Sequence, residues 1–167
     1  MQVEVRRART SDIKAIRALV DTYTTDRRLL SKATVTLYEQ VQEFWVAADA
    51  ETGRVVGCGA LHVMWEDLAE IRTVAVDPEY RGRKIGHQIV AELIDVARAL
   101  GVARVFCLTF ETRFFGSFGF VEIDGAPVPH GVYEQLLRSY DEGVAEFLDL
   151  ERVKPNTLGN TRMLLHL

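Results

Sequence analysis

Cysteine is scarce in the 167-residue sequence, with only Cys58 and Cys107 present. Two thiols inside apolar segments cannot build a disulfide framework, so buried, reduced thiols in a cytoplasmic protein are expected. No apolar run approaches the ~20 residues of a membrane span. The opening Met1-Gln2-Val3-Glu4-Val5-Arg6-Arg7 lacks the basic-then-apolar order of a secretory leader. Positive charge is not in excess: 20 Lys and Arg stand against 24 Asp and Glu, a net charge of −4. That balance excludes a global basic field for nucleic acid or anionic lipid. Internal repeats and low-complexity stretches are also lacking. What remains is 48% hydrophobic and 26% charged, the composition of a globular protein. One domain over residues 1–167 is expected, long enough to hide ~70% of its unfolded surface.

The chain alternates strand-like and helix-like patterns, an α/β composition. Val3, Val5 and Ala8 begin a strand, and Thr10-Ser11-Asp12 offers a hydroxyl cap and a first-turn acid for a helix. Ile13, Ile16, Val20 and Tyr23 follow at helical spacing. A second helix runs through Val35, Tyr38 and Val41. Phe44–Ala48 and Val55–Val63 bracket a short polar loop with Gly53, which predicts a β-hairpin. Ala69–Val76 is a third strand, closed by Asp77-Pro78-Glu79. Ile85, Ile89, Leu93, Ala97 and Leu100 define the strongest helix, with Gly101 as its stop. Val102–Thr109 completes a βαβ unit with parallel strands. In the tail, Leu136, Tyr140, Val144 and Phe147 predict a helix interrupted by Gly143. Thr161–Leu167 predicts a final strand.

The informative stretch is Ala75-Val76-Asp77-Pro78-Glu79-Tyr80-Arg81-Gly82-Arg83-Lys84-Ile85-Gly86, a strand, a basic turn and a helix start. Unpaired N–H groups at a helix N-terminus suit a phosphate, and Gly82 and Gly86 let it approach the backbone. Arg81, Arg83 and Lys84 add charge. By composition alone a solvated basic turn explains the stretch equally well. Its order resembles the acetyl-CoA-binding motif of the GNAT acyltransferases: Gln or Arg, then Gly three residues later, then Gly or Ala two further on. Arg81 and Gly86 match the outer positions, and Lys84 replaces the middle Gly. Val56–Leu61, Ala69–Val76, Phe106–Thr109, Phe114-Phe115 and Gly119-Phe120 resemble the acetyltransferase domain of bacterial N-acetylglutamate synthases, in their short form without a kinase-like domain.

The resemblance implies a GNAT acyl-CoA N-acyltransferase fold, a mixed, mostly antiparallel sheet flanked by helices. It implies acetyl transfer from acetyl-CoA, without a metal, to the α-amino group of L-glutamate in arginine biosynthesis. The Val74, Ala75 and Val76 amides would meet the thioester and pantetheine of a bulged strand, and Arg81, Gly82, Arg83, Lys84, Ile85, Gly86 and His87 the phosphates. Glu70 is the implied base; paired with Arg72, it reads equally as a structural carboxylate. The family's general-acid Tyr is replaced by Phe115, which leaves Thr112 and Thr109 as hydroxyls near the departing thiolate. Lys32, Arg72, Lys154 and Arg162 are candidate cations for the acceptor's carboxylates, each also readable as surface charge. A homodimer is consistent with the resemblance. Two other readings remain open: acetylation of another small amine or a protein N-terminus, and a degenerate acetyl-CoA-binding regulatory module.

Overall fold

Alternating Val3 and Val5 set strand β1 (Val3–Arg7), whose chain turns at Thr10–Asp12 in a single 3-10 turn before helix α1 (Ile13–Thr24). The acid caps this turn instead of a hydroxyl. Asp12 accepts the Arg9 N–H at 2.7 Å and a two-pronged bond from Arg6 at 2.8 and 3.1 Å. The Arg6 hydrogen bond, set against partial burial, holds the Asp12 carboxyl below its usual range. The computed structural model describes residues 1–24, 32–153 and 159–167. Helix α2 (Thr34–Glu39), the antiparallel strands β2 (Phe44–Asp49) and β3 (Val55–Trp65), and strand β4 (Leu68–Val76) follow. Next come helix α3 (Ile85–Leu100) and strand β5 (Arg104–Thr109), then α4 (Thr112–Gly116) and β6 (Val121–Glu122). Helices α5 (His130–Leu136) and α6 (Glu142–Phe147) and strand β7 (Thr161–His166) complete the described elements.

The strands form a seven-stranded sheet in the order β1-β2-β3-β4-β5-β7-β6. β4 and β5 are parallel, as a βαβ unit requires, with Glu70 beside Phe106. The pairs β1–β2, β2–β3, β5–β7 and β6–β7 are antiparallel. The chain divides into two compact units, Met1–Leu61 with Thr73–Val96, and His62–Arg72 with Ala97–Leu167.

The first unit has a core of Ile13, Ile16, Val20, Leu37, Phe44 and Val46 among others. Here α3 lies against β3 because Gly57 and Gly59 carry no side chain. A Cβ at either would sit 2.9 or 2.8 Å from Ile89, so the close approach needs glycine. Ile85, Ile89 and Leu93 are buried by it, each contributing roughly 1.5–3 kcal/mol. This packing fixes the start of α3 beside the end of β4.

The second unit is centred on Phe106 and Phe147, stacked edge to face at 4.9 Å, with Leu68, Val144 and Leu164. Gly101, at φ +85°, ends α3, and the Val102 N–H reaches back to the Ala97 carbonyl at 3.1 Å. The tail differs from the single interrupted helix that its spacing predicts. It forms α5 and α6, with Tyr140 98% exposed between them. Asp141 caps α6 by accepting the Val144 N–H at 3.0 Å, and Gly143 lies inside that helix.

Candidate active site

In the first unit, the end of β4 leads through a 3-10 turn (Pro78–Tyr80) into the basic segment before α3. Asp77 caps the 3-10 turn by accepting the Glu79 N–H at 3.0 Å and pairs with Arg54 at 2.9 Å. Tyr80 lies beneath two guanidinium groups, those of Arg54 at 5.6 Å and Arg83 at 5.1 Å. Arg81, Gly82, Arg83, Lys84 and His87 are exposed, Gly86 is half-buried, and Ile85 anchors the turn in the core. Gly82 takes φ +78°, and a Cβ there would meet nothing within 4 Å.

Lys84 takes φ +58°. The residue that departs from the GNAT motif therefore adopts the left-handed conformation that favours glycine, at a cost of about 1–2 kcal/mol. Its side chain lies at the surface. This basic turn stands at the head of a sixteen-residue helix, where unpaired N–H groups and the positive end of the helix dipole suit anions.

Upstream, Thr73 is buried and takes φ +58°. A β-branched residue in that region is strained, and it breaks the regularity of β4 just before Val74, Ala75 and Val76. The Val76 carbonyl accepts the Tyr23 hydroxyl at 2.5 Å. Burial pushes the Cys58 thiol up to about 12, as expected for an inert, packed cysteine.

Lys32, also in the first unit, donates from Nζ to the Gln40 side-chain oxygen at 3.1 Å, and its carbonyl accepts a bond from Arg17. Lys154 lies outside the described residues.

In the second unit, Glu70, Arg72, Asp141 and His62 form one cluster. Arg72 donates from Nε to Glu70 at 2.7 Å and from Nη1 to Asp141 at 2.8 Å, and its Nη2 lies 2.7 Å from the other Asp141 oxygen. His62 Nε2 is 3.9 Å from Asp141. The side chains of Glu70, Arg72 and Asp141 are 4, 8 and 10% exposed, and His62 is 19% exposed. Gly143 presses on the pair. A Cβ there would lie 2.5 Å from the Arg72 guanidinium carbon and 2.6 Å from the Glu70 carboxylate.

Burial is the largest influence on Glu70 and pushes its carboxyl up; Arg72 opposes that, Asp141 reinforces it, and His62 opposes it. Burial also pushes Asp141 up, but Arg72, His62 and the Val144 N–H outweigh it and hold Asp141 well below the usual range.

Two of the candidate acceptor cations have partners within the fold. Arg72 is committed to two carboxylates and is nearly sealed from solvent. Arg162 donates to the carbonyls of Gly125, Glu146 and Phe147 and stacks over Phe106 at 5.1 Å. It ties the last turn of α6 and the Gly125 loop to β7, so its guanidinium serves the fold.

Thr112 opens α4 and is exposed. Thr109 is buried, and its hydroxyl accepts the Glu111 N–H at 2.8 Å. Phe115 is buried edge to face against Phe114 and Phe120, which gives the residue at the usual general-acid position a packing role.

Asp141 and His62 were not singled out from the sequence, and Gly143 was read there only as a break in the tail helix. Asp141 stands three residues before Val144 at the start of an apolar stretch, a capping signal for a separate helix; the pairing with Arg72 has no local signature. Among the described residues, no group of three His, Cys, Asp or Glu is arranged to hold a metal ion, and no helix is long and apolar enough to cross a membrane.

The sheet order, the strained β4 and the glycine-conformation turn before α3 define an acyltransferase architecture. The chain belongs to the Acetyltransferase (GNAT) family, whose model matches residues 13–120. It is 64% identical over 162 residues to the amino-acid acetyltransferase of Mycobacterium tuberculosis, covering 96% of this chain and 92% of that one. A crystal structure of a Mycobacterium tuberculosis protein in complex with CoA and NLQ shares the fold at a TM-score of 0.95 and 64% identity, covering 98% of this chain and 99% of that one. N-acetylglutamate synthase from Neisseria gonorrhoeae, complexed with coenzyme A and N-acetyl-glutamate, shares the fold at a TM-score of 0.78 and 24% identity. That match covers 100% of this chain and 35% of the synthase.

Proposed function

We propose that this protein transfers the acetyl group of acetyl-CoA to the α-amino group of L-glutamate. The carrying observation is a carboxylate, Glu70, buried on β4 with raised proton affinity, in a chain 64% identical to an amino-acid acetyltransferase along nearly its whole length.

Glu70 takes a proton from the acceptor ammonium, directly or through one water, and leaves a neutral amine to attack the thioester carbonyl. A positioned base of this kind contributes ~10²–10⁴-fold. The Val74 amide donates to the developing oxyanion, a role worth ~10²–10³-fold for a single preorganised donor. The carbon–sulfur bond then breaks and the thiolate departs; Thr112 is the proposed hydroxyl near it. The pantetheine arm runs along Ala75 and Val76. Arg81, Gly82, Arg83, Lys84, Ile85, Gly86 and His87 hold the phosphates with backbone N–H groups and charge. Lys32 is the proposed cation for an acceptor carboxylate, with Lys154 from the tail as its companion.

Release of CoA thiol from acetyl-CoA, followed spectrophotometrically across the amino acids, tests the reading. Turnover with L-glutamate and loss of turnover on Lys32→Ala are expected. Failure of every amino acid to release CoA would overturn it in favour of a regulatory acetyl-CoA-binding module. Turnover confined to peptides would assign a protein N-terminus as acceptor.

A further inference from the structure

We propose that Asp141 is a positioning residue for acetyl transfer: by pairing with the Nη end of Arg72, it draws that end of the guanidinium away from Glu70, which meets the Nε–H, and so keeps Glu70 a usable base. The inference rests on the reading of Glu70 as that base. A guanidinium facing one carboxylate normally forms a two-pronged pair and strongly suppresses its protonation. Here the prongs are divided. Nε reaches Glu70 at 2.7 Å, while Nη1 and Nη2 face the two Asp141 oxygens at 2.8 and 2.7 Å.

The charges follow the same division. Two carboxylates share one guanidinium, and the Asp141 charge favours proton uptake at Glu70. Asp141 is far the better paired, so the proton goes to Glu70. The other groups bearing on Glu70 are His62 on β3, Cys107 on β5 and Arg162 on β7. The Cys107 thiol is pushed up by burial and by Glu70 and stays neutral. Arg162 is engaged by main-chain carbonyls.

The position of Asp141 is itself built. It is fixed by capping α6 through the Val144 N–H, and Gly143 lets that turn lie against the Arg72–Glu70 pair without a Cβ between them.

The test is the pH dependence of kcat at saturating acetyl-CoA and L-glutamate, which reports groups in the substrate complex. Asp141→Asn removes the charge, and Asp141→Ser also keeps a short oxygen for the cap. In both, Arg72 is released to Glu70, so the acidic limb moves down by about one pH unit and plateau kcat falls about 3- to 10-fold. KM for acetyl-CoA stays within about 2-fold. An unmoved limb in folded Asp141 variants, with the limb abolished by Glu70→Gln, overturns the positioning role and leaves Glu70 as base. A limb that survives Glu70→Gln overturns both. Should the Asp141 variants not fold, carboxyl carbon NMR titration of the unaltered protein decides. Glu70 titrating above its ordinary value with Asp141 below supports the proposal, and a suppressed Glu70 overturns it.

Discussion

Burial raises the proton affinity of Glu70, so the folded chain holds this carboxyl above its unfolded value near ~4.3. A raised carboxyl favours folding only in its protonated form. That contribution is full below the unfolded value and is lost as pH rises through the folded one. Glu70→Gln keeps a hydrogen-bond acceptor for Arg72 and removes the charge. We expect turnover to fall by ~10²-fold or more while the melting temperature at pH 7 rises by about 2–4 °C. The stability gain should fade toward pH 4, which a thermal-unfolding series across pH checks. Lys84 makes a second prediction at this scale. Lys84→Gly and Lys84→Ala remove the same charge, but only glycine releases the left-handed strain at φ +58°. The glycine variant should therefore unfold about 2–4 °C above the alanine variant in calorimetry.

Helix α6 inverts the usual effect of a glycine-to-alanine change. In an ordinary helix interior, alanine stabilises by about 0.5–1 kcal/mol. At Gly143 the new Cβ would overlap the Arg72 guanidinium and the Glu70 carboxylate, and Arg72 cannot swing aside without breaking both carboxylate contacts. Gly143→Ala should instead destabilise by ~1–3 kcal/mol in denaturant unfolding and lower turnover, because the pair it displaces carries the proposed base. This helix also marks the limit of what could be read from the sequence. β4, α3 and β5 were legible because apolar period, turn residues and the Gly101 stop agree with one another. The tail was misread because Tyr140 falls at helical spacing from Leu136 and Val144 but stands exposed between two helices. The place of Glu70 on β4 was legible in the strand pattern, while its role as base came only from the family resemblance. The pairing of Arg72 with Asp141 was not legible, because residues 69 positions apart meet only through the fold. Arg72 and Arg162 read as available cations since nothing local reveals that carboxylates and carbonyls already occupy them.

Over the whole molecule the net charge is −4, the wrong sign for an anionic cosubstrate, while Arg81, Arg83 and Lys84 gather on one exposed turn. These two contributions differ in range and so respond differently to salt. The dispersed acidic charge acts over distances that a Debye length of ~10 Å at 0.1 M already screens, whereas the turn would act at contact distance and needs the ~3 Å length of 1 M salt to be weakened. KM for acetyl-CoA should therefore stay level or fall slightly as salt rises from low ionic strength to about 0.1 M, then climb severalfold toward 1 M. A double Arg81→Ser, Arg83→Ser variant should start with a higher KM and lose most of the climb. A KM that rises steadily from the lowest salt in the unaltered protein would mean that the distant charges do not oppose binding. An unchanged profile in the double variant would remove the turn from the phosphate site, and with it the account of how a net-acidic chain holds CoA.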